Sequence, residues 1–293
     1  MRDIRLIVTD LDGTFLNGYR SFHPDNAKAI RAAQEAGIMV CACTGRCYEM
    51  AKSPIVMAGF DRLAILSNGA AIKDFRTGYN LMEKLIPPGK AQETMGLMDE
   101  FRGTARIYLD HTYVTYNKYQ SGRGRDDSMD RNRRAPRRLR ENISCTDRLE
   151  DLMELAEQGI QQINVTIPDR ERSRLFEEQV RKIGGLETTA SNPTDVEIML
   201  EGVSKGNALI ELARILGVER ENVMALGDNY NDVPMLRWAG IGVAVSNAVD
   251  AAKEAADRIT GNGRENGMGQ AVFGIALGRG TIGYSMRREM RRV

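Results

Sequence analysis

The chain has 293 residues, 42% hydrophobic and 28% charged, which is the composition of a globular protein with room for about two domains. A net charge of +1 gives the whole molecule no strong pull toward nucleic acid or an anionic membrane. No apolar run approaches the ~20 residues of a spanning helix, and the opening MRDIRLIVTD is too briefly apolar for a signal peptide, so a cytoplasmic protein with no membrane partner is expected.

The first ~80 residues predict an α/β alternation. Residues 4 to 8, IRLIV, have strand character and stop at Asp10-Leu11-Asp12-Gly13-Thr14. PDNAKAIRAAQEAG follows with Ala27, Ile30 and Ala33 on one helical face and Gly37 as its stop. IMVCAC (38 to 43) ends in Thr44-Gly45-Arg46, and LAIL (63 to 66) ends in Ser67-Asn68-Gly69. Near-continuous apolar strands in a β-α-β-α-β order indicate a parallel sheet covered on both faces. Cys41 and Cys43 read as small apolar residues on one strand face. With Cys47 their spacing is not that of a paired zinc knuckle, and only His23 and His111 exist to complete one.

The middle of the chain has another pattern. From 83 to 191, alternating strands such as ARIYLDHTYVTY and INVTI are separated by helical stretches, which predicts an inserted α+β domain. Residues 1–82 and 192–293 then form the first domain, with crossings at the turn-rich stretches 80–83 and 191–194. The α/β rhythm resumes with SKGNALIELARILG (204 to 217), NVMALG (222 to 227) ending in Asp228-Asn229-Tyr230-Asn231-Asp232, and IGVAV (241 to 245) ending in Ser246-Asn247-Ala248. Two basic stretches fall outside this scheme: residues 123 to 140 carry eight arginines against three aspartates, and the tail from Met286 carries four arginines against one glutamate. Either could meet a phosphate polymer. Without interleaved aromatics they read as solvated surface, and no nucleic-acid partner is expected.

Ligands of an open parallel sheet bind beyond the carboxyl ends of its strands, near the point where strand order reverses. The strand ends here bring Asp10 and Asp12, Thr44 and Gly45, and Asp228, Asn231 and Asp232. Lys205 opens the helix before the late strand. Four carboxylates in one cleft need a cation, and an all-oxygen donor set without histidine or cysteine points to magnesium. Neither Asp-rich run has the glycine and closing glutamate of a calcium loop. A magnesium ion beside a lysine and backbone amides makes a phosphate site. There is no Walker sequence, and the single G-x-G-x-x-G, at 278–283, leaves too little chain for a dinucleotide unit.

In an extended segment Asp10 and Asp12 face the same way and can address one phosphorus. Asp10, nearer the lysine, suits a nucleophile that forms an aspartyl-phosphate. Asp12 suits the acid and base for the leaving alcohol and the incoming water. Thr44, Gly45, Lys205 and Asn231 suit the phosphoryl oxygens.

The motifs DLDGT (10 to 14), CTGR (43 to 46), SNGA (67 to 70), EIMLEGVSKG (197 to 206), GDNYND (227 to 232), VAVSNA (243 to 248) and ENG (265 to 267) together resemble those of the Cof-type haloacid dehalogenase-like hydrolases, in order along the whole chain. The resemblance implies a Rossmann-like core with an α/β cap inserted after the second motif, and a magnesium-dependent phosphatase for a small phosphomonoester such as a sugar phosphate or phosphorylated cofactor. It implies Asp10 as nucleophile and metal ligand, Asp12 as acid/base with its carbonyl on the metal, Asp228 as a third ligand and Asp232 as a water-mediated one. It also implies phosphate contacts from the Leu11 amide, Thr44, Gly45, Lys205 and Asn231. Leu200 stands where relatives often have proline, and the arginine-rich segment aligns with nothing in the pattern. Two other readings remain at this point. A sugar phosphomutase resembling phosphomannomutase would pass the phosphoryl group to a second hydroxyl, although residues 222 to 267 favour the phosphatase. A binding protein would use the basic cap segment and keep a vestigial site.

Overall fold

The computed structural model describes residues 3–119, 132, 137, 140–190, 192–279 and 285–286. In chain order its elements are β1 (Leu6–Thr9), α1 (Pro24–Glu35), β2 (Met39–Cys43), α2 (Tyr48–Ala58), β3 (Leu63–Leu66), β4 (Ala71–Asp74) and β5 (Asn80–Glu83). Then come α3 (Pro88–Glu100), β6 (Thr104–Tyr108), β7 (Tyr113–Tyr116), β8 (Ile143–Thr146), α4 (Leu149–Leu155), β9 (Gln162–Thr166), α5 (Arg170–Ile183), β10 (Leu186–Thr189) and β11 (Asp195–Leu200). The chain finishes with α6 (Lys205–Leu216), β12 (Val223–Gly227), α7 (Val233–Trp238), β13 (Ile241–Ala244), α8 (Asp250–Ala255), β14 (Arg258–Ile259), α9 (Gly267–Ala271) and β15 (Ser285–Met286). Among the described residues, no helix is long and apolar enough to cross a membrane.

The chain divides into two units: residues up to Gly45, Lys52–Leu81 and Ser204 onward form the first, Arg46–Ala51 and Met82–Val203 the second. The first is built on a nine-stranded sheet of order β15-β14-β13-β12-β1-β2-β3-β4-β5. From β14 through β3 the strands run parallel. The chain moves outward from β1 to β3 and returns on the other side of β1 with β12 and β13. The order of strands therefore reverses between β1 and β12, where a crevice forms at the carboxyl ends. β1, β2, β3 and β12 are buried along almost their whole length, as the unbroken apolar runs predict for a sheet covered on both faces.

The second unit has a six-stranded sheet of order β10-β11-β9-β6-β7-β8, antiparallel except for β7 with β8. One face packs Ala105, Ile107, Ile163, Val165, Val196 and Ile198 against Met95 and Met98 of α3, Leu152 of α4 and Phe176 and Val180 of α5. The return to the first unit comes at Ser204, not at 192 as the turn residues suggested. The reason is β11, which pairs with both β9 and β10 and sends Val196 and Ile198 into this core. The arginine-rich stretch, apart from Asn132, Arg137 and Arg140, lies outside the described residues, as do residue 191 and the tail beyond Met286.

α6 is delimited by its own sequence. The Ser204 side chain accepts from the Asn207 amide at 3.1 Å, and Gly217 closes the helix in the left-handed region at φ 64°. Among the described residues, no atom beyond its chain neighbours lies within 4 Å of where a Cβ at 217 would stand. Gly217→Ala therefore tests the backbone alone: about 1 kcal/mol of lost stability is expected, a fall of roughly 2–4 °C in Tm by differential scanning calorimetry. An unchanged Tm would mean that the left-handed cap contributes nothing.

Candidate active site

Asp10 is the first residue after β1, in a position fixed by its amide, which donates to the Leu226 carbonyl of β12 at 2.9 Å. The chain then turns on one acceptor, the Leu11 carbonyl, which takes the amides of Phe15 and Leu16 at 3.0 and 2.7 Å. Asp10 is buried, Leu11 is fully buried and Asp12 is exposed. The strand ends at Thr9, so the two-residue alternation that would aim both carboxylates the same way does not extend to them.

Asp228 follows β12 directly, and Asp232 comes one short turn later, with its carboxylate folded back on that turn. Asp232 Oδ2 accepts from the amides of Asp228 and Asn229 at 2.9 and 3.0 Å. Its Oδ1 accepts from Lys205 Nζ at 2.6 Å, and the same ammonium donates to Asp10 Oδ1 at 2.7 Å. Lys205 is 1% exposed and Asp232 is fully buried. Thr14 completes this side of the site by donating its hydroxyl to Asp228 Oδ1 at 2.9 Å.

Asp10, Asp228 and Asp232 each offer an oxygen within 4.8 Å of the others. Asp12's carboxylate is outside that cluster, although its charge acts on both Asp10 and Asp228. Burial raises the Asp10 carboxyl well above the ordinary range, Lys205 opposes the rise, and Asp232, Asp228 and Asp12 add to it. Burial, with help from Asp232, pushes Asp228 up to about 6. Burial pulls Lys205 down, but Asp10 and Asp232 more than offset it, so the ammonium keeps its proton.

Thr44 is fully buried at the end of β2, and its amide donates to the Ile65 carbonyl at 2.9 Å. Asn231 is half-buried and donates Nδ2 to Asn68 Oδ1 at 2.9 Å. Asp10, Lys205, Asp228 and Asp232 are thus joined in one charged network; Asn231 lies in the same turn as Asp228 and Asp232, while Thr44 and Gly45 lie in the loop after β2 of the same unit. Thr14 and Asn247 were not singled out from the sequence. The signals were a hydroxyl right after the D-x-D-G turn and an asparagine at the end of a late strand. Asn247 links the Gly13 carbonyl to the Gly263 amide, at 2.9 and 2.8 Å. In the second unit, Tyr108 and Tyr113 are buried with Cys47, Tyr113 donates to Glu141 at 2.6 Å, and His111 is exposed beside Asp110.

The sequence profile of the haloacid dehalogenase-like hydrolases matches residues 7–272. The chain belongs to that family. It is 34% identical over 275 residues to a 5-amino-6-(5-phospho-D-ribitylamino)uracil phosphatase, YcsE, of Bacillus subtilis, covering 92% of this chain and 95% of that one. It is 30% identical to the pyridoxal phosphate phosphatase YbhA of Escherichia coli, covering 92% and 97%. A solved haloacid dehalogenase-like hydrolase from B. subtilis superposes with a TM-score of 0.81 at 27% identity, over 93% of this chain and all of that one. The enzyme is a phosphomonoester hydrolase of this family.

The raised carboxyls have a measurable consequence. Asp228 binds its proton more tightly folded, near pH 6, than unfolded, near ~4. The folded state therefore loses stability as pH rises from ~4 through about 6, and the loss is complete above that. In EDTA at pH 7.5, Asp228→Asn should melt a few degrees above wild type, roughly 1–3 kcal/mol, with the gap closing toward pH 4.5. A variant less stable than wild type at pH 7.5 would contradict the charge argument.

Proposed function

We propose that this chain is a magnesium-dependent phosphatase of a small phosphorylated metabolite, a sugar phosphate or a phosphorylated cofactor or cofactor precursor, acting through an aspartyl-phosphate on Asp10. The observation that carries the reading is the buried Asp10–Lys205–Asp232 network beside Asp228 at the reversal point of the sheet. The names of its relatives agree in kind: one acts on a phosphoribitylamino-uracil and one on pyridoxal phosphate.

The donor set fits magnesium. The oxygens of Asp10, Asp228 and Asp232 are hard and close together, two of the residues buried and Asp228 half-buried, and they are short of positive charge, because one lysine, paired with Asp10 and Asp232, stands against three carboxylates. Asp10 and Asp228 would hold the ion directly, with the Asp12 carbonyl. Asp232 has both oxygens engaged and would act through Lys205 and the 228–229 amides. Bound there, magnesium supplies the positive charge that lets these carboxylates stay ionised at neutral pH.

Asp10, held by Lys205, attacks phosphorus. Lys205, Thr44, Asn231 and the amides of Leu11 and Gly45 hold the phosphoryl oxygens and spread their growing charge. Asp12, exposed at the rim, gives its proton to the departing alcohol, then takes one from the water that hydrolyses the aspartyl-phosphate. Four free cysteines, three of them buried, fit a reducing compartment, and we place the enzyme in the cytoplasm.

Phosphate release from a panel of phosphomonoesters, with and without magnesium, tests the reading. Release should require magnesium, fall by at least about 10³-fold in Asp10→Asn, and fall by ~10² to 10⁴ in Asp12→Asn. Interconversion of hexose phosphates without release would identify a mutase instead. Neither activity, on any ester, would overturn the proposal.

A further inference from the structure

The turn after β3 is unusual. Ser67 and Asn68 are consecutive non-glycine residues in the left-handed region, at φ 49° and 55°, and both are buried. Such a conformation persists only where the surroundings fix it, and it gathers at functional sites. Three elements fix it here. The Asn68 amide donates to the Thr44 carbonyl at 3.1 Å. The Asn68 side chain lies flat against Gly45, where a Cβ would begin 3.1 Å from Oδ1. Gly69, at φ 105°, presses against the residue before Lys205, since a side chain there would meet the Ser204 carbonyl at 2.4 Å. The turn therefore touches the Thr44–Gly45 loop and the residue before Lys205, two of the proposed phosphate-holding elements, and Asn68 Oδ1 reaches a third by accepting from Asn231 Nδ2 at 2.9 Å.

We propose that Asn68 is a positioning residue for phosphoryl binding: it aims the Asn231 amide at the phosphoryl group. An amide NH₂ carries two hydrogens in one plane. Asn68 takes one, which sets the direction of the other and stops the amide from rotating away. Among the described residues Asn231 Oδ1 is buried and has no hydrogen-bond partner, so the Asn68 bond is what orients this side chain before substrate arrives. Asparagine suits position 68 because it tolerates the left-handed region better than other side chains and still offers an acceptor.

The proposal rests on the reading that Asn231 holds phosphate, and one experiment separates the two. Competitive inhibition by inorganic phosphate is measured for wild type, Asn68→Gly, which keeps the positive φ, Asn231→Ala and the double variant. Asn231→Ala should weaken phosphate about tenfold and Asn68→Gly several-fold, with the double variant no worse than Asn231→Ala alone. Wild-type inhibition of Asn231→Ala would overturn the phosphate role of Asn231. An impaired Asn231→Ala with an unimpaired Asn68→Gly, or with effects that multiply, would overturn the role of Asn68. Asn68→Asp guards against a folding defect. It has the same shape, and its charge beside the phosphate should weaken inhibition at pH 8 and release it toward pH 5, relative to wild type. Inhibition equal to wild type across that range would also overturn the proposal.

Discussion

The site is organised around one ammonium. Lys205 is almost wholly removed from water, and a lysine in that position is expensive unless carboxylates face it. Asp10 and Asp232 do so at 2.7 and 2.6 Å, and in doing so they join three stretches of chain: the end of β1, the start of α6 and the turn after β12. None of the three partners can be moved alone. Removing either carboxylate leaves the lysine poorly compensated, and removing the lysine leaves two buried anions facing each other. The network is better understood as a device that fixes geometry than as a source of stability.

The backbone makes that network possible. Asp10 and Asp228 each take the first position after a strand, and β1 and β12 are neighbours in register, with Thr9 opposite Leu226. Two carboxylates are thereby delivered side by side without any loop having to find them. The charge balance remains unfavourable, with two buried carboxylates and one half-buried against one lysine, and the raised Asp10 and Asp228 carboxyls express it. Stability given up here is what the proposed site for a hard cation and an anionic substrate would require: a pocket comfortable without them would bind neither well.

Much of the first unit was legible because its strands are unbroken apolar runs that stop abruptly at polar clusters. The stop is as informative as the run. α6 declared both ends, through Ser204 and Gly217. Three features were not legible, for distinct reasons. The boundary at 192 failed because turn residues mark a change of direction, whereas domain membership depends on pairing partners, and those of β11 lie 29 to 35 residues upstream in sequence for β9 and just before it for β10. The relation of Asp10 to Asp12 depended on where β1 ends, one residue before the first aspartate, which local periodicity cannot resolve. Asn68 was visible as a residue at a strand end, but only its positive φ distinguishes a positioning group from a turn former.

The geometry of Asp232 also bears on how substitutions in this site should be read. One of its oxygens holds Lys205, and the other receives the amide of Asp228 itself. The carboxylate thus fixes a proposed phosphate-holding cation and the backbone of a proposed metal ligand at once. Replacing it with asparagine would keep the shape, but would leave an amide group that can donate where two backbone amides and an ammonium already donate. The loss would therefore appear in phosphate affinity and metal affinity together. An equal loss in both would not make Asp232 a direct ligand of either; it follows from a single buried acceptor shared by two loops.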